Sequence, residues 1–287
     1  MNRQGRILLT GRDGQVGSEL HRRLGDRAEV VALGRAELDL ADVVALRRAI
    51  RDVHPSIVIN AAAYTAVDRA ETEEELARAV NSIAPGVLAE ETRRIGALLI
   101  HYSTDYVFDG QSRRPYREDD ATGPLNAYGR TKLAGEQAIR QVDGRHLILR
   151  CSWVYGPRGS NFLQTVLRLA RERQELRIVA DQFGAPTSSL AIARATLRLA
   201  GQDGSPSGIY HLSAAGSTSW HGFASAVLEE AGMAAVRVVP ITTAEYPTPT
   251  RRPPYSVLSN DKLQRTFGIA LPQWRTGLGE VVRMTAG

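Results

Sequence analysis

The fold of this 287-residue chain is decided by one stretch near its start, Arg6-Ile7-Leu8-Leu9-Thr10-Gly11-Arg12-Asp13-Gly14-Gln15-Val16-Gly17. Residues 6–10 form a short, mainly apolar run, as expected of a buried parallel strand. The three glycines then permit a tight turn, close approach of the backbone to a pyrophosphate, and close packing of helix on strand. Residues 18–24 have helical composition, and a helix N-terminus offers unpaired N–H groups to an anion. The spacing is GxxGxxG rather than GxGxxG, but its place between a strand and a helix predicts a dinucleotide site.

Strands and helices alternate along the first half of the chain. We expect strands at 29–33, 56–62, 97–104 and 146–152, and helices at 42–53, 73–94 and 126–142. This alternation predicts an α/β fold, a Rossmann-type doubly wound parallel sheet with helices on both faces. In such sheets ligands bind beyond the carboxyl ends of the strands, so the segments at these ends should meet in one crevice. Those segments are Gly11, Gly34-Arg35, Asn60-Ala61-Ala62-Ala63, Ser103-Thr104-Asp105 and Ser152-Trp153.

The second half of the chain is less regular. It contains a loop at 181–187 and a proline-dense stretch at 246–254. We therefore predict a dinucleotide-binding Rossmann domain over residues 1–155. Residues 156–287 are predicted to form a smaller, mainly substrate-binding lobe that is interleaved with the last strands of the sheet.

Composition excludes several classes of protein. No apolar run approaches 18 residues and no charged-then-apolar leader is present, so we expect a cytoplasmic protein without a membrane segment. The one cysteine, Cys151, forbids an internal disulfide and fits a reducing compartment; a core role is favoured over a nucleophilic one. The net charge of +5 comes from dispersed arginines without a basic run, which argues against nucleic acid as a partner.

Tyr128 and Lys132 lie four residues apart in a predicted helix, so they share one helix face. Of 36 cationic residues, only Lys132 and Lys262 are lysines. A nearby cation favours phenolate, so we expect Lys132 to lower the pKa of Tyr128. A phenol tuned in this way is a general acid or base for alcohol and ketone chemistry. In isolation, a solvated Tyr-Lys pair on a helix surface would be the favoured interpretation, but the predicted nucleotide site upstream weighs against it.

A set of motifs in a fixed order resembles a known family. They lie at 14–17, 37–40, 60–68, 103–110, 124–129, 150–156, 161–162, 181–187 and 252–253. With the Tyr128/Lys132 pair, they resemble the extended short-chain dehydrogenase/reductase superfamily and, within it, the dTDP-4-dehydrorhamnose reductase family. The resemblance covers essentially the whole chain. It implies NAD(P)H-dependent reduction of the C4 ketone of dTDP-4-dehydro-6-deoxy-L-mannose to dTDP-L-rhamnose, for cell-surface polysaccharide biosynthesis.

The resemblance implies roles for three catalytic residues. Tyr128 is the expected proton donor, Thr104 the hydroxyl that polarises the carbonyl, and Lys132 the group that hydrogen-bonds the nicotinamide ribose. A hydrogen-bond donor and a delivered proton both stabilise the charge that develops on the carbonyl oxygen. Taken alone, Thr104 could equally be an ordinary β-branched strand residue.

The resemblance also implies which residues hold the cofactor and the substrate. The expected cofactor-binding residues are Gly11, Gly14, Gln15, Val16, Gly17, Arg35, Asp39, Leu40, Ala62, Ala63, Thr65, Tyr128 and Lys132. The expected substrate-binding residues are Thr104, Asp105, Trp153, Asn161, Gln182 and Arg252. Two of them have simpler explanations, because Asp105 could cap the following turn and Trp153 could belong to the core.

The end of the second strand indicates which cofactor is used. An acidic residue there would bind the ribose of NADH, but Leu33-Gly34-Arg35 has none, and Arg12 lies across the glycine turn. Arginine suits a 2′-phosphate. We therefore expect NADPH, with NADH also accepted.

A metal site is not expected. Members of the family with a magnesium ion at a dimer interface need three acidic positions. Glu19 and Glu280 match two of them, but Leu190 occupies the third. Because a hard cation requires several oxygen ligands, we predict no metal, and either a monomer or a homodimer.

Rival functions share much of this pattern. A regulatory subunit resembling that of methionine adenosyltransferase would bind NADP without catalysis, although the intact catalytic residues argue against it. A nucleotide-sugar epimerase or dehydratase would share the Tyr/Lys pair, but the dehydratase needs Asp-Glu after the active threonine, where this chain has Asp105-Tyr106. A structural module is the remaining alternative.

Overall fold

The computed structural model describes residues 5–25, 29–202 and 204–285. Its strands are β1 Ile7–Thr10, β2 Val30–Leu33, β3 Ile57–Asn60, β4 Leu98–Thr104, β5 His146–Cys151, β6 Val154–Tyr155, β7 Glu175–Val179, β8 Phe183–Gly184, β9 Thr187–Ser188, β10 Gly208–His211, β11 Thr218–Ser219 and β12 Arg237–Ile241. Its α-helices are α1 Gln15–Leu24, α2 Val43–Val53, α3 Glu74–Arg78, α4 Ala84–Arg94, α5 Ala127–Val142, α6 Phe162–Glu172, α7 Ser189–Ala200, α8 Trp220–Glu230, α9 Asp261–Phe267 and α10 Trp274–Thr285. Within these ranges no helix is both long and apolar enough to cross a membrane.

Six parallel strands form the central sheet, in the order β10-β5-β4-β3-β1-β2. The register places Thr10 at the end of β1 beside Leu33 of β2 and Asn60 of β3. At the other side of the sheet, Thr104 of β4 lies opposite Cys151 of β5. Because the strands are parallel, their carboxyl ends share one edge. The predicted fold class, a Rossmann-type α/β sheet, is confirmed.

Helices cover both faces of this sheet. Successive strand residues point to opposite faces, so Leu8 and Leu9 enter different cores. Leu9 packs with Leu20 of α1 and Ile192 of α7, whereas Leu8 packs in the core that contains Ile139 of α5. Burial on both faces explains why residues 7–9 are apolar without interruption.

A further core lies in the second half of the chain. It contains Leu163 of α6, Phe223 of α8 and Leu278 of α10, and the parallel pair β7 and β12 lies beside it. From the same half, β10 returns to the central sheet and pairs with β5. The division of the chain near residue 155 stays a prediction.

The helix expected at 73–94 is interrupted by a π-helical turn, Ala79–Ile83. Pro85 has no N–H to donate to the carbonyl of Asn81, so the regular ladder cannot continue there. That carbonyl lies against Gly135 of α5, where any side chain would overlap it. The Asn81 amide accepts from the N–H of Tyr64 at 2.9 Å and donates to its carbonyl at 3.0 Å. Asn81, which lies in this interruption, therefore fixes the backbone of the segment that follows β3.

Candidate active site

A cavity of about 490 Å³ opens at the carboxyl edge of the sheet. Its walls include the glycine turn, the segments after β2 and β3, and one face of α5. The expected cofactor-binding residues in its lining are Gly11, Gly14, Gln15, Val16, Arg35, Asp39, Leu40, Ala62, Ala63, Thr65, Tyr128 and Lys132. Of the strand-end segments that the sequence predicts to converge, this lining contains Gly11, Arg35, residues 61–63 and Ser103. Thr104, Asp105, Ser152 and Trp153 are not part of the lining.

The glycine turn has the shape of a cradle for an anion. Gly11 has a φ of +72°, which favours glycine, and a side chain there would overlap the backbone of Ala62. A side chain at Gly17 would overlap the carbonyl of Gly11, so this glycine brings the helix against the turn rather than lining the cavity. Helix α1 begins after Gly14 without a side-chain cap, which leaves its first N–H groups for a ligand. Buried Gln15 Oε1 also lacks a hydrogen-bond partner among the described residues. The turn therefore fits a dinucleotide pyrophosphate.

Tyr128 and Lys132 project from the first turns of α5. Asn126 is the N-cap of this helix, and its side chain accepts from the N–H of Gly129 at 2.8 Å. Gly129 packs under the carbonyl of Tyr106, where a side chain would overlap it. The cap and this close packing fix the start of the helix, and with it the position of Tyr128.

Lys132 is bound to strand β4 instead of to the phenol. Its Nζ donates to the carbonyl of Tyr102 at 2.6 Å and lies 3.2 Å from Nε2 of His101. The side chain is almost fully buried. Burial, opposed by the charge of Glu136, lowers the pKa of Lys132 to about 8. His101 was not singled out from the sequence, because it lies 31 residues from Lys132 and meets it only through the pairing of helix and sheet.

The expected lowering of the Tyr128 pKa is wrong for this structure. Part of the ring faces the cavity, but burial of the phenol raises the pKa of Tyr128 above its ordinary value. The neighbouring Thr104 hydroxyl opposes this rise in pKa, and the nearby Asp105 carboxylate adds to it. Desolvation outweighs any effect of the Lys132 charge, since Lys132 is directed to β4.

Thr104 and Asp105 end strand β4 in a buried network. The Thr104 hydroxyl accepts from the Tyr106 N–H at 3.2 Å and donates to Asp105 at 3.2 Å. Asp105 also accepts from Ser152 at 3.0 Å. Burial raises the pKa of Asp105 to about 6, and the hydroxyls of Ser256, Ser152 and Thr104 oppose the rise. These contacts favour a local role for the Asp105 carboxylate, whereas Thr104 lies next to the phenol.

Trp153 has a partner that the sequence analysis missed. Its indole stacks on that of Trp220, with ring centroids 3.5 Å apart and an interplanar angle of 3°. Trp153 has a φ of +44°, which is rare for a bulky residue and common at functional sites. Gly184 leaves room for its indole, since a side chain there would overlap the ring. Trp220 follows Ser219, the N-cap of α8, and this cap is the signal that could have drawn attention to it.

The other expected substrate residues are held by local bonds. Asn161 caps α6, accepting from Gln164 N at 3.1 Å. Gln182 is buried, donates to Thr243 at 3.1 Å and accepts from Trp220 at 3.2 Å. Arg252 is partly exposed and pairs with Asp68 at 3.0 Å. Each of the three lies on the second half of the chain.

The end of β2 carries an acidic group that the sequence analysis missed. Glu37 accepts from the Gly34 N–H at 3.0 Å and pairs with Arg12 at 2.7 Å. Arg12 also pairs with Asp13 at 3.3 Å. Arg35 lines the cavity, is exposed, and forms no ion pair with another residue of the described ranges. Of the two arginines expected at a 2′-phosphate, Arg12 is therefore already paired with carboxylates, whereas, in the described part of the chain, Arg35 is not.

Glu19 and Glu280, the two acidic residues that match the magnesium site of some family members, are both paired with arginines. Glu280 accepts two bonds from Arg194, both at 2.6 Å, and Glu19 pairs with Arg22 at 2.9 Å. Leu190 is buried in the core of the second half. Over the described ranges, no group of three or more His, Cys, Asp or Glu residues could hold a metal ion. The absence of a metal stays a prediction.

Comparison with known proteins decides the family. The family model for the RmlD substrate binding domain matches residues 5–286. A dTDP-4-dehydrorhamnose reductase of Burkholderia thailandensis is 50% identical, over 97% of this chain and 98% of its own length. The chain belongs to the dTDP-4-dehydrorhamnose reductase family. Another dTDP-4-dehydrorhamnose reductase, from Escherichia coli K12, is 43% identical over 95% of both chains.

Solved structures of dTDP-4-dehydrorhamnose reductases have the same fold. One from Clostridium acetobutylicum has a TM-score of 0.94 at 38% identity, covering 98% of this chain and all (100%) of that one. One from Bacillus anthracis, in complex with NADP, has a TM-score of 0.93 at 35% identity, covering 97% and 98%. The family predicted from the sequence is confirmed, and the predicted cofactor agrees with the NADP of the B. anthracis relative.

Proposed function

We propose that this chain reduces the C4 ketone of dTDP-4-dehydro-6-deoxy-L-mannose to dTDP-L-rhamnose with NADPH. The observation that carries the proposal is that Tyr128 and Lys132 line the same cavity as the glycine turn, in a chain that is 50% identical to a curated reductase of that name. A cradle for pyrophosphate and a group able to donate a proton are the two parts that ketone reduction by a dinucleotide requires.

Tyr128 is the proposed proton donor. Because burial raises its pKa, the phenol holds its proton at neutral pH and can deliver it as negative charge develops on the C4 oxygen. The Thr104 hydroxyl, which lies near the phenol, is proposed to polarise the same carbonyl. Lys132 in its ammonium form favours the phenolate that is left behind. Bound NADPH supplies the hydride.

We propose that the cofactor is held by the residues that line the cavity. The N–H groups after Gly14 and the side chain of Gln15 serve the pyrophosphate. Asp39 and Leu40 flank the adenine, and Arg35 serves a 2′-phosphate. The small side chains after β3 allow the backbone to approach the dinucleotide. Gly17 acts indirectly, by bringing the helix against the turn.

The substrate is proposed to lie between the cavity and the second half of the chain. Trp153 would pack on the sugar or the base, which fits its half-buried indole. Arg252, Gln182 and Asn161 would contact the diphosphate and nucleoside, and the Arg252 side chain stays partly exposed for an anion. Asp105 is proposed to contact the substrate beside Thr104, in addition to its local bonds with Thr104 and Ser152.

We also propose a cytoplasmic location, a dTDP-sugar as the partner, and a monomer or homodimer as the working form. Dispersed arginines give no support to nucleic acid as a partner. The intact Tyr128, Thr104 and Lys132 weigh against a regulatory subunit that binds NADP without catalysis.

The fate of the cofactor separates the alternatives. Purified protein would be incubated with NADPH and dTDP-4-dehydro-6-deoxy-L-mannose, and NADPH absorbance would be followed alongside the sugar product. We expect one NADPH to be oxidised for each dTDP-L-rhamnose formed. Epimerised sugar without loss of NADPH, or NADPH binding without any turnover, would contradict the proposal.

A further inference from the structure

His101 joins the active-site lysine to a chain of buried polar groups. Nε2 of His101 lies 3.2 Å from Lys132 Nζ, and Nδ1 lies 3.0 Å from Asn60 Nδ2. Asn60 Oδ1 in turn accepts from the Thr10 hydroxyl at 2.7 Å. Thr10, Asn60, His101 and Lys132 are each only 1% exposed, so water does not compete for these contacts.

The Asn60 amide determines which nitrogen of His101 carries the hydrogen. Asn60 Oδ1 accepts from Thr10 and also from the Ala62 N–H at 3.3 Å. The amide orientation that satisfies both donors directs Nδ2 at the imidazole. Nδ1 of His101 is then the acceptor, and the hydrogen of the neutral ring lies on Nε2. The ring is neutral because burial, and then the Lys132 charge, hold the pKa of His101 well below its ordinary value.

An Nε2–H group acts differently on the two forms of a lysine. A neutral amine has a lone pair that accepts from Nε2–H, whereas an ammonium has only donors to present. The bond from Lys132 to the Tyr102 carbonyl is available to both forms. We propose that His101 is a positioning residue that holds Lys132 through Nε2–H and favours its neutral amine over the ammonium.

Other titratable groups around Lys132 also affect its charge, and their effects add to that of the contact with His101. The titratable groups packed near it in the described ranges are Tyr128 and Glu136 from its own helix, His101 from β4, and Cys151 from β5. Glu136 favours the ammonium, but its carboxylate is shared with buried Arg150 through bonds of 2.9 and 2.7 Å. Burial is the main cause that lowers the pKa of Lys132 to about 8. With His101 acting in the same direction, Lys132 changes charge close to working pH.

The chain offers a direct measurement of this effect. It has two lysines, Lys132 and Lys262, so lysine labelled with carbon-13 at Cε gives two resonances, and Lys262→Arg assigns them. Titration of the cofactor-free protein then reads the charge of Lys132, with Lys262 as an internal control. The inference takes Lys132 as an active-site group from the proposed function, but this titration requires no substrate.

Two substitutions distinguish the contact of His101 with Lys132 from its contact with Asn60. In His101→Gln the amide reaches the Nε2 position and can turn its oxygen to the ammonium, so the Lys132 midpoint should rise by about one pH unit. His101→Asn is shorter and keeps the contact with Asn60, but it removes the donor at Lys132, so a smaller rise is expected. The alkaline limb of kcat should move with the midpoint, whereas a purely structural role would lower kcat equally at every pH.

The outcomes are distinguishable. The role of His101 would be overturned if, in a folded variant, the titration midpoint of Lys132 stayed unchanged or fell. The midpoint of Lys262 must stay constant in the same titration. A midpoint that rises in a protein without reductase activity would leave this inference standing and remove the proposed function instead. Circular dichroism of each variant establishes that it is folded.

Discussion

Arg12 of the glycine turn and Glu37, which follows β2, form an ion pair of 2.7 Å beside the cavity. Hydrogen bonding from Arg12 is the main cause of the lowered pKa of Glu37. One of the two arginines expected at a 2′-phosphate is thus already neutralised by a carboxylate. Arg35, exposed in the cavity lining, is the cation that we expect to distinguish NADPH from NADH.

Arg35→Ala should weaken NADPH binding far more than NADH binding. A charge-assisted hydrogen bond is worth about 1.5–3 kcal/mol, which corresponds to a rise of about ten- to a hundred-fold in Kd. NADH lacks the phosphate and should lose little. Fluorescence titration measures both cofactors, and Arg251→Ala, an exposed arginine outside the cavity lining, is the matched control. Equal losses for both cofactors would show that Arg35 does not contact the phosphate.

Glu37→Gln should have the opposite effect. Without the carboxylate, the Arg12 guanidinium is free to approach a 2′-phosphate, so NADPH should bind more tightly, by up to about ten-fold. NADH affinity should stay close to that of the unmodified protein. The same titration applies, and a weaker NADPH complex would mean that Glu37 supports the site by positioning Gly34.

Tyr128→Phe should bind NADPH normally and turn over at least about a hundred-fold more slowly. The substitution removes the proton donor but leaves the ring, so only the proton transfer is lost. Steady-state kcat and the Kd for NADPH are the two measurements. A variant that retains half of the original kcat would exclude Tyr128 as the donor.

Turnover should fall as pH rises through about 8, the pKa of Lys132. A lysine is cationic below its pKa and neutral above it, so the ammonium that favours phenolate is lost on the alkaline side. Lys132→Arg stays cationic across this range, and its lower kcat should show no alkaline limb near this pH. Profiles of kcat against pH for both proteins test this, and an identical limb in Lys132→Arg would assign the ionisation to another group.

Chelation should leave activity unchanged. Leu190 contributes no oxygen ligand, and Glu280 is paired with Arg194. The measurement is turnover, together with the assembly state by light scattering, before and after EDTA treatment. Activity that disappears with EDTA and returns with magnesium would show that a metal site exists despite Leu190.

Local patterns account for what the sequence could predict. The glycine turn with its flanking strand and helix, and the four-residue spacing of Tyr128 and Lys132, involve neighbours along the chain. The strands at 98–104 and 146–151 are apolar enough to be recognised, and each agrees with the prediction within one residue. Asn126 was included in the predicted helix and proves to be its N-cap, the kind of boundary that hydrogen bonding fixes.

Contacts between distant segments of the chain account for the features that the sequence could not predict. Lys132 meets His101 only because α5 packs on β4, and the burial that raises the pKa of Tyr128 is likewise a result of tertiary packing. Trp220 stacks on Trp153 from 67 positions further along the chain. Glu37 is only three residues beyond Gly34, but its bond to Arg12 depends on the approach of two loops. Such effects follow from tertiary packing, which spacing along one sequence does not encode.

The central claim is that hydride from NADPH ends on C4 of the sugar. The most direct test uses NADPH with deuterium at both C4 positions of the nicotinamide ring, dTDP-4-dehydro-6-deoxy-L-mannose and the purified protein, with the product read by NMR and mass spectrometry. We predict dTDP-L-rhamnose with one deuterium, located at the sugar C4, for each NADPH consumed. Unlabelled product, or consumption of NADPH without deuterium at that carbon, would contradict it.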